Sequence, residues 1–219
     1  MQITIDSKLK ALAPNLTLGA IFAEVRNTQH DPALWEQIES AIRAINSQLT
    51  LNALSGVPEI KATREAYRAL GKDPSRYRCS QEALLRRVLQ GKGLFQINTV
   101  VDINNLVSME SRHSLGSYDR DKLSGNVVLR AGEAGATYKG IGKDLINLEG
   151  LPIFADDSGP FGSPTSDSER AMITLDAKRI LMVIISFAGP SGLQSHMERA
   201  SQLLRAHAQG AMEGKVLII

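Results

Sequence analysis

Helical and strand-like hydrophobic patterns occupy different parts of this chain, and their order constrains the fold more than any other feature of the sequence. In the first part, apolar residues recur every three or four positions: Trp35, Ile38, Ile42, Ile45 and Leu49. This spacing predicts an amphipathic helix over 32–50, which Asp31 and Pro32 would begin. Two more helices are predicted over 58–70 and 80–91, and a glycine marks the end of each.

Outside these helices the chain has short apolar runs separated by glycines, most of them in its second half, and such runs predict strands. Strands are expected at 3–5, 18–25, 127–129, 136–138, 151–154, 171–175, 180–187 and 216–219, with a hairpin turn at 176–179. Helices are expected at 97–107, where Asn98 is a candidate N-cap, and at 192–208. The order of strands, helices, more strands and a final helix predicts an α+β domain rather than a doubly wound sheet.

The length of 219 residues, with 43% apolar and 22% charged residues, fits one globular domain and excludes wholesale disorder. We therefore expect a single domain over 1–219. The N-terminal segment lacks the basic start and apolar run of a signal peptide, and the longest apolar run, 180–185, is too short to span a membrane. The expected location is the cytoplasm, with no membrane partner.

Sequence signatures of cofactor and metal sites are absent. The glycines at 132–135 and 140–142 match neither the P-loop nor the dinucleotide-binding fingerprint, so we expect them to serve β-turns. None of the four histidines stands in the spacing of a zinc site, and the single cysteine, Cys79, excludes an internal disulfide. We expect no cofactor and no metal, and we interpret Cys79 as a buried or semi-buried structural thiol.

The segment from Lys61 to Lys92, called the basic segment below, carries nine basic and three acidic residues. Such a concentration of positive charge is typical of a surface for an anionic polymer, and a pair of solvated helix faces is the alternative interpretation. The candidate nucleic-acid-binding residues are Arg64, Arg68, Arg76, Arg78, Arg86 and Arg87. Tyr67 and Tyr77 are candidates for stacking on bases.

A hydroxyl-rich stretch over 157–170 is the most informative candidate for chemistry. The residues from Asp157 to Ser168 include two glycines, two prolines and five hydroxyl residues, and strands are expected on both sides. Glycine lets backbone N–H groups approach a ligand, and serine and threonine both donate and accept hydrogen bonds. We therefore predict a ligand-binding loop, with a solvated hairpin connection as the alternative.

Several motifs occur in a defined order along the chain: 98–105, 115–125, 127–130 and a Gly-x-Phe-Gly core at 159–162. Together they resemble the B-three/B-four domain, the editing domain of the phenylalanyl-tRNA synthetase beta subunit, over about 75–188. This resemblance implies an α+β fold built as a three-layer sandwich, with two β layers and packed helices. Nothing in the chain resembles the catalytic core or the anticodon-binding part of the synthetase, so we do not expect a complete ligase.

In the synthetase this domain hydrolyses the ester that joins a wrong amino acid, typically tyrosine, to the tRNA. The resemblance therefore implies a free-standing editing protein whose partner is tRNA or aminoacyl-tRNA, with the basic segment on the tRNA phosphates. The implied catalytic residues are Thr165, Ser166 and Asp167. The implied substrate-binding residues, on either side of one pocket, are Asn98, Asn104, Gly159, Phe161 and Gly162. Backbone N–H groups near 159–162 would stabilise the developing oxyanion.

Two positions depart from the pattern of the family. The family commonly has a histidine where this chain has Gly116, and a glutamate that helps to read a tyrosine hydroxyl where it has Pro164. Three functions consequently stay open: ester hydrolysis on a mischarged tRNA, non-catalytic binding of an amino acid, aminoacyl end or RNA, and small-molecule hydrolysis or transfer. The identity of the amino acid and the oligomeric state are not determined by these residues.

Overall fold

A computed structural model of the chain describes residues 1–214 and 217–219. Its helices are α1 (Ser7–Leu12), α2 (Pro32–Gln48), α3 (Pro58–Ala69), α4 (Ser80–Leu89), α5 (Thr99–Ser111) and α6 (Leu193–Ala208). Its strands are β1 (Ile3–Ile5), β2 (Thr17–Glu24), β3 (Ser114–Asp119), β4 (Val127–Ala131), β5 (Thr137–Lys139), β6 (Leu145–Asn147), β7 (Pro152–Asp156), β8 (Gly159–Gly162), β9 (Arg179–Ser186), β10 (Ala211–Met212) and β11 (Leu217–Ile218). Within these described ranges, no helix is both long and apolar enough to cross a membrane.

The strands form two main sheets and a small hairpin. The larger sheet has the order β10-β2-β9-β3, and β11 also pairs with β2. The four-stranded sheet has the order β1-β4-β7-β8, in which β1 runs parallel to β4 and the other neighbours are antiparallel. Strands β5 and β6 form a separate two-stranded hairpin. The site described below lies where β3, β8 and the β5–β6 hairpin approach one another.

The larger sheet is the middle of three layers. Because successive side chains of a strand point to opposite faces, β9 contributes to two cores. Its Ile180, Met182 and Ile184 belong to the core shared with the helices, whereas Leu181, Val183 and Ile185 belong to the core shared with the four-stranded sheet. A strand buried on both faces is typical of a central layer. The predicted α+β class and three-layer sandwich are thus confirmed.

The caps predicted for two helices are present. Asp31 accepts a hydrogen bond from the Leu34 backbone N–H at 2.9 Å, and Pro32 occupies the first turn of α2. The Asn98 side chain accepts one from the Val101 backbone N–H at 3.0 Å at the start of α5. Such caps satisfy N–H groups that have no partner within the helix.

The hairpin predicted over 171–187 is wrong. Only its second arm is a strand, β9, which pairs with β2 and β3, while residues 169–171 form a short 3-10 helix. The Asn98 and Asn27 side-chain amides donate to the carbonyls of Ile173 and Thr174, at 3.3 and 2.9 Å. These backbone groups are therefore satisfied by the side chain that caps α5 and by one from the loop after β2, rather than by a neighbouring strand. Of the strand predicted at 216–219, residue 216 lies outside the described residues, and 217–218 form β11.

Candidate functional site

Residues 163–167, called the hydroxyl turn below, follow the edge strand β8 directly. The loop predicted over 157–170 is thus wrong in part, since 159–162 form a strand. Ser163 Oγ accepts hydrogen bonds from the backbone N–H groups of Thr165 and Ser166, at 3.2 and 3.0 Å. The Ser163 N–H donates to Asp167 Oδ1 at 3.0 Å. The serine and aspartate side chains therefore close the turn internally, as expected of such residues.

Three buried tyrosines on other elements form hydrogen bonds with the hydroxyl turn. Tyr67 on α3 shares a 2.8 Å hydrogen bond with Thr165 Oγ1. Tyr118 on β3 donates to Asp167 Oδ1 at 2.9 Å, and Tyr138 on β5 donates to the Ser166 carbonyl. Three separate elements thus fix one short turn, which gives it a defined geometry of the kind a binding or catalytic site requires.

Asp167 is the electrostatic centre of the hydroxyl turn. Burial raises the pKa of its carboxyl to about 6, although the hydrogen bonds from the Ser163 N–H and the Tyr118 hydroxyl lower it. Within the described part of the chain, only Oδ1 of this carboxyl has a hydrogen-bond partner. A carboxylate with one unused oxygen and a pKa near neutrality can accept a proton or hold a cationic group.

Cys79 lies against the same turn but is not a nucleophile. Burial raises the pKa of its thiol to about 12, while hydrogen bonding with Tyr67 and Thr165 lowers it. The thiolate form is therefore not populated near neutral pH. The interpretation of Cys79 as a buried thiol is confirmed.

Tyr118 fills the space between Gly116 and Gly162. A Cβ atom built on either glycine would overlap the Tyr118 hydroxyl. The ring also packs edge-on against Phe161 and Phe154, with centroids 4.8 and 5.8 Å apart. Gly116 corresponds to the position of the family's histidine, so in this chain a tyrosine two residues further along the same strand occupies the volume beside it.

The predicted substrate-binding residues do not line one pocket in this structure. Asn98 is buried as the cap of α5, and Asn104 bonds Ser117 Oγ at 2.9 Å on the helical side of β3. Tyr118, the next residue, points to the opposite face, toward the hydroxyl turn. Strand β3 therefore separates the two asparagines from the turn. Their part in substrate binding stays a prediction.

Phe161, Gly159 and Gly162 belong to β8, next to the hydroxyl turn. Phe161 is fully buried, and its ring packs against Phe154 and Tyr118 next to the turn. Gly159 has a φ of +108°, a conformation that favours glycine, and its carbonyl accepts from the Arg170 guanidinium at 2.9 Å. The structure thus brings these three residues together with Thr165, Ser166 and Asp167. Their catalytic and binding roles remain predictions.

Half of the predicted arginines converge on one buried acid. Glu82 is 3% exposed, and its Oε1 lies 2.8 Å from Arg86 Nε and 3.6 Å from the nearest nitrogens of Arg64 and Arg78. Such a carboxylate needs its partners, because an unpaired buried charge costs several kcal/mol. These arginines stabilise the fold, whatever else they do.

The remaining cations of the basic segment are free of this cluster. Arg68 and Arg76 are exposed, and Arg76 and Lys72 lie 5.7 and 5.5 Å from the centre of the Tyr77 ring. The expectation that Tyr67 stacks on bases is wrong, because its ring is fully buried. Arg78, Arg86, Arg87 and Lys92 line a pocket of about 370 Å³ along α4. Phe95 lies beside this pocket, against Arg87, and no pattern in the sequence points to it.

Comparisons with known proteins fit this architecture. Residues 62–209 match the family model of the B3/4 domain. The phenylalanine–tRNA ligase beta subunit of Geobacter metallireducens is 30% identical over 132 residues, covering 59% of this chain and 16% of that protein. The same subunit of Fusobacterium nucleatum is 36% identical over 74 residues, covering 33% of this chain and 9% of that protein. This chain thus matches a sixth or less of the length of these relatives.

A solved structure has the same fold. An N-terminal fragment of the phenylalanyl-tRNA synthetase beta subunit from Pyrococcus horikoshii superposes with a TM-score of 0.50 at 14% sequence identity. The match covers 99% of this chain and 53% of the fragment. At that identity the likeness concerns the fold alone. Because the family model covers more than half of the sequence, the chain belongs to the B3/4 domain family.

Proposed function

We propose that this chain hydrolyses the ester of a mischarged aminoacyl-tRNA, and that it acts in trans on tRNA charged by another protein. Similarity to the beta subunit of phenylalanine–tRNA ligase supports a substrate of the aminoacyl-tRNA class. The observation that carries the proposal is Asp167: a carboxyl with a pKa raised to about 6, held at one oxygen within a turn of hydroxyl side chains.

In this proposal the unused Oδ2 of ionised Asp167 accepts a hydrogen bond from the attacking water or from the α-amino group of the substrate. The water oxygen bonds to the ester carbonyl carbon, the bond between that carbon and the ribose oxygen breaks, and the proton that the water gives up ends on the ribose oxygen, which leaves as a hydroxyl. Thr165 and Ser166 are proposed to orient the water, and N–H groups of the edge strand β8 to stabilise the oxyanion. Either role of Asp167 requires its negative charge, so one substitution tests both.

A second candidate function, non-catalytic binding of an aminoacyl end or RNA, is favoured by Tyr118. Its side chain occupies the volume between Gly116 and Gly162, next to the carboxyl that hydrolysis would use. A protein that only binds would need no room there for a water and a tetrahedral intermediate. The two candidates differ in turnover: a deacylase releases free amino acid, whereas a binding protein protects the ester.

Amino acid release from a panel of mischarged tRNAs tests the proposal. We expect release above the rate of the tRNA alone, and a loss of about 10–100-fold in Asp167→Asn, the range expected from losing a charge-assisted hydrogen bond. Asp157→Asn is the matched control, because Asp157 is exposed in the turn before β8. Tight binding of aminoacyl-tRNA without release would replace hydrolysis by the binding function.

A further inference from the structure

We infer that Phe95 and the basic pocket of α4 together form a binding surface for single-stranded RNA, on which one base stacks on Phe95. This surface, the stacking surface below, consists of Phe95, Arg78, Arg86, Arg87 and Lys92. That the RNA is the acceptor end of a tRNA rests on the proposed function. The binding itself does not, because it needs neither Asp167 nor hydrolysis.

The aromatic side chain of Phe95 is exposed to solvent. It is 65% exposed, although large apolar side chains are normally buried. The Arg87 guanidinium lies 3.9 Å from the ring centre, and Arg87 also donates to the Lys92 carbonyl at 3.3 Å. One face of the ring is thus covered by a planar cation. With 65% of the residue exposed, we place a nucleobase on the ring face opposite Arg87, where it would form a base–Phe95–Arg87 sandwich.

The neighbouring pocket supplies positive charge for phosphates. Four cationic side chains line its volume of about 370 Å³, and Glu82 neutralises only part of their charge. Arg87 and Lys92 have no acidic partner within 4 Å in the described part of the chain. A groove of cations beside an aromatic platform is the arrangement by which proteins bind single-stranded nucleic acid. An acidic peptide would use the same charges but would leave the ring face unused.

The stacking surface also lies at a suitable distance from the hydroxyl turn. Helix α4 begins at that turn, where the Ser80 N–H donates to the Pro164 carbonyl at 2.8 Å. Its ten residues span about 15 Å, and Phe95 follows its end. Stacked nucleotides of one strand advance about 3.4 Å each. A strand of about four nucleotides therefore connects an ester at the turn with phosphates and a base on the stacking surface.

The test compares two ligands of equal charge. One is a fluorescently labelled single-stranded RNA hexanucleotide, and the other is the same backbone without bases. For the wild-type chain we expect the abasic strand to bind about tenfold more weakly by fluorescence anisotropy, because it cannot stack. Phe95→Leu should lose the same factor for the normal strand and nothing further for the abasic strand. Its salt dependence should be unchanged, since stacking releases no counterions.

Charge variants complete the test. Arg87→Glu should weaken both ligands and flatten the dependence of affinity on salt, whereas Arg43→Glu, a control on α2 outside the pocket, should change neither. Equal affinity of wild type for the two ligands, or no binding of either, would overturn the inference. So would equally strong competition by polyglutamate. Base-dependent binding without deacylation would support the stacking surface and contradict the proposed hydrolysis. Deacylation that Phe95→Leu does not change would support the hydrolysis and contradict the stacking surface.

Discussion

The hydroxyl turn and helix α4 meet at one hydrogen bond, from Ser80 to Pro164, yet their polar side chains are arranged in opposite ways. In the turn the serine, threonine and aspartate side chains bond to other groups of the protein, and within the described residues Asp167 Oδ2 has no hydrogen-bond partner. Along α4 the cations divide: Arg86 is bound to Glu82, while its neighbour Arg87 lies on the exposed ring of Phe95.

This comparison shows that residue type alone does not decide which polar groups are available to a ligand. A serine or arginine that satisfies a buried partner stabilises the fold, and only the remaining capacity can be used for binding. The turn offers a single perturbed carboxyl, which suits chemistry. The face of α4 offers charge and an aromatic surface, which suits recognition. The predictions below test this division.

The largest expected effect is a difference in stability between variants of two adjacent arginines. Arg86→Glu places a second carboxylate beside buried Glu82 and removes its 2.8 Å partner, so the free energy of unfolding should fall by about 3–5 kcal/mol. Arg87→Glu removes only the contact with Phe95 and a carbonyl, so it should cost less than about 1 kcal/mol. Urea denaturation of both variants measures the difference. Equal losses would contradict the division of the cations.

A smaller loss is expected where Tyr118 fills the site. Gly116→Ala should lower the free energy of unfolding by about 1–3 kcal/mol, because the new methyl group overlaps the buried Tyr118 hydroxyl. Gly56→Ala is the matched control, since no atom lies within 4 Å of the Cβ it would gain. Thermal unfolding of the two variants compares them. Equal stability of Gly116→Ala and the control would mean that Tyr118 can move away and that the space between Gly116 and Gly162 is open.

Asp167→Asn should stabilise the fold at neutral pH. The pKa of Asp167 is raised by burial to about 6, so ionisation costs the folded state more than the unfolded chain, where the ordinary value is 3.8. The substitution should therefore raise the free energy of unfolding by about 1–2 kcal/mol at pH 7. Tyr118 and Tyr138, whose pKa values are raised, stay neutral in this range.

The pH dependence of the free energy of unfolding tests the same prediction. The advantage of Asp167→Asn should shrink as the pH falls through 6 and become small near pH 4, where the wild-type carboxyl is protonated in the folded state and about half protonated in the unfolded chain. Denaturation curves between pH 4 and 7 measure it, with Asp157→Asn as the exposed control. A destabilised Asp167→Asn at pH 7 would mean that the aspartate acts mainly as the capping group of the turn.

The smallest expected effect concerns the choice of amino acid. Pro164 stands where the family's glutamate would read a tyrosine hydroxyl, and its carbonyl already accepts from Ser80 N–H and Ser114 Oγ. No strong acceptor is therefore left there for a substrate hydroxyl. We expect tyrosyl and phenylalanyl esters to be deacylated at rates within about tenfold, because apolar pockets discriminate weakly. A preference for tyrosyl esters of about 10⁴-fold would refute our alignment.

Periodicity and capping residues predict most of the fold. The helices α2 to α6 follow from apolar spacing and from Asp31 and Asn98, whose caps the structure contains. Strand β3 was missed because Gly116 and Ser117 interrupt its apolar residues; the glycine is there to make room for Tyr118. Helix α1 was missed because it has six residues and a single buried one, Leu9, which is too short for a periodic signal.

The site was only partly predictable because its supports are remote in sequence. Composition drew attention to Thr165, Ser166 and Asp167, but their tyrosine partners stand 98, 28 and 49 positions away, respectively. The i,i+4 spacing of Arg78, Glu82 and Arg86 is visible in the sequence. The burial of Glu82, which makes these arginines its ion-pair partners, is not. Phe95 carries no periodic signal, and only its exposure in the fold gives it significance.

Single-turnover deacylation of a mischarged tRNA across pH tests the central claim most directly. With the spontaneous rate subtracted, the wild-type rate should rise as the pH increases through about 6, because the ionised form of Asp167 is the active one. Asp167→Asn should lose about 10–100-fold and the inflection near pH 6, while Asp157→Asn keeps both. Equal rates and equal pH profiles for wild type and Asp167→Asn would contradict the account.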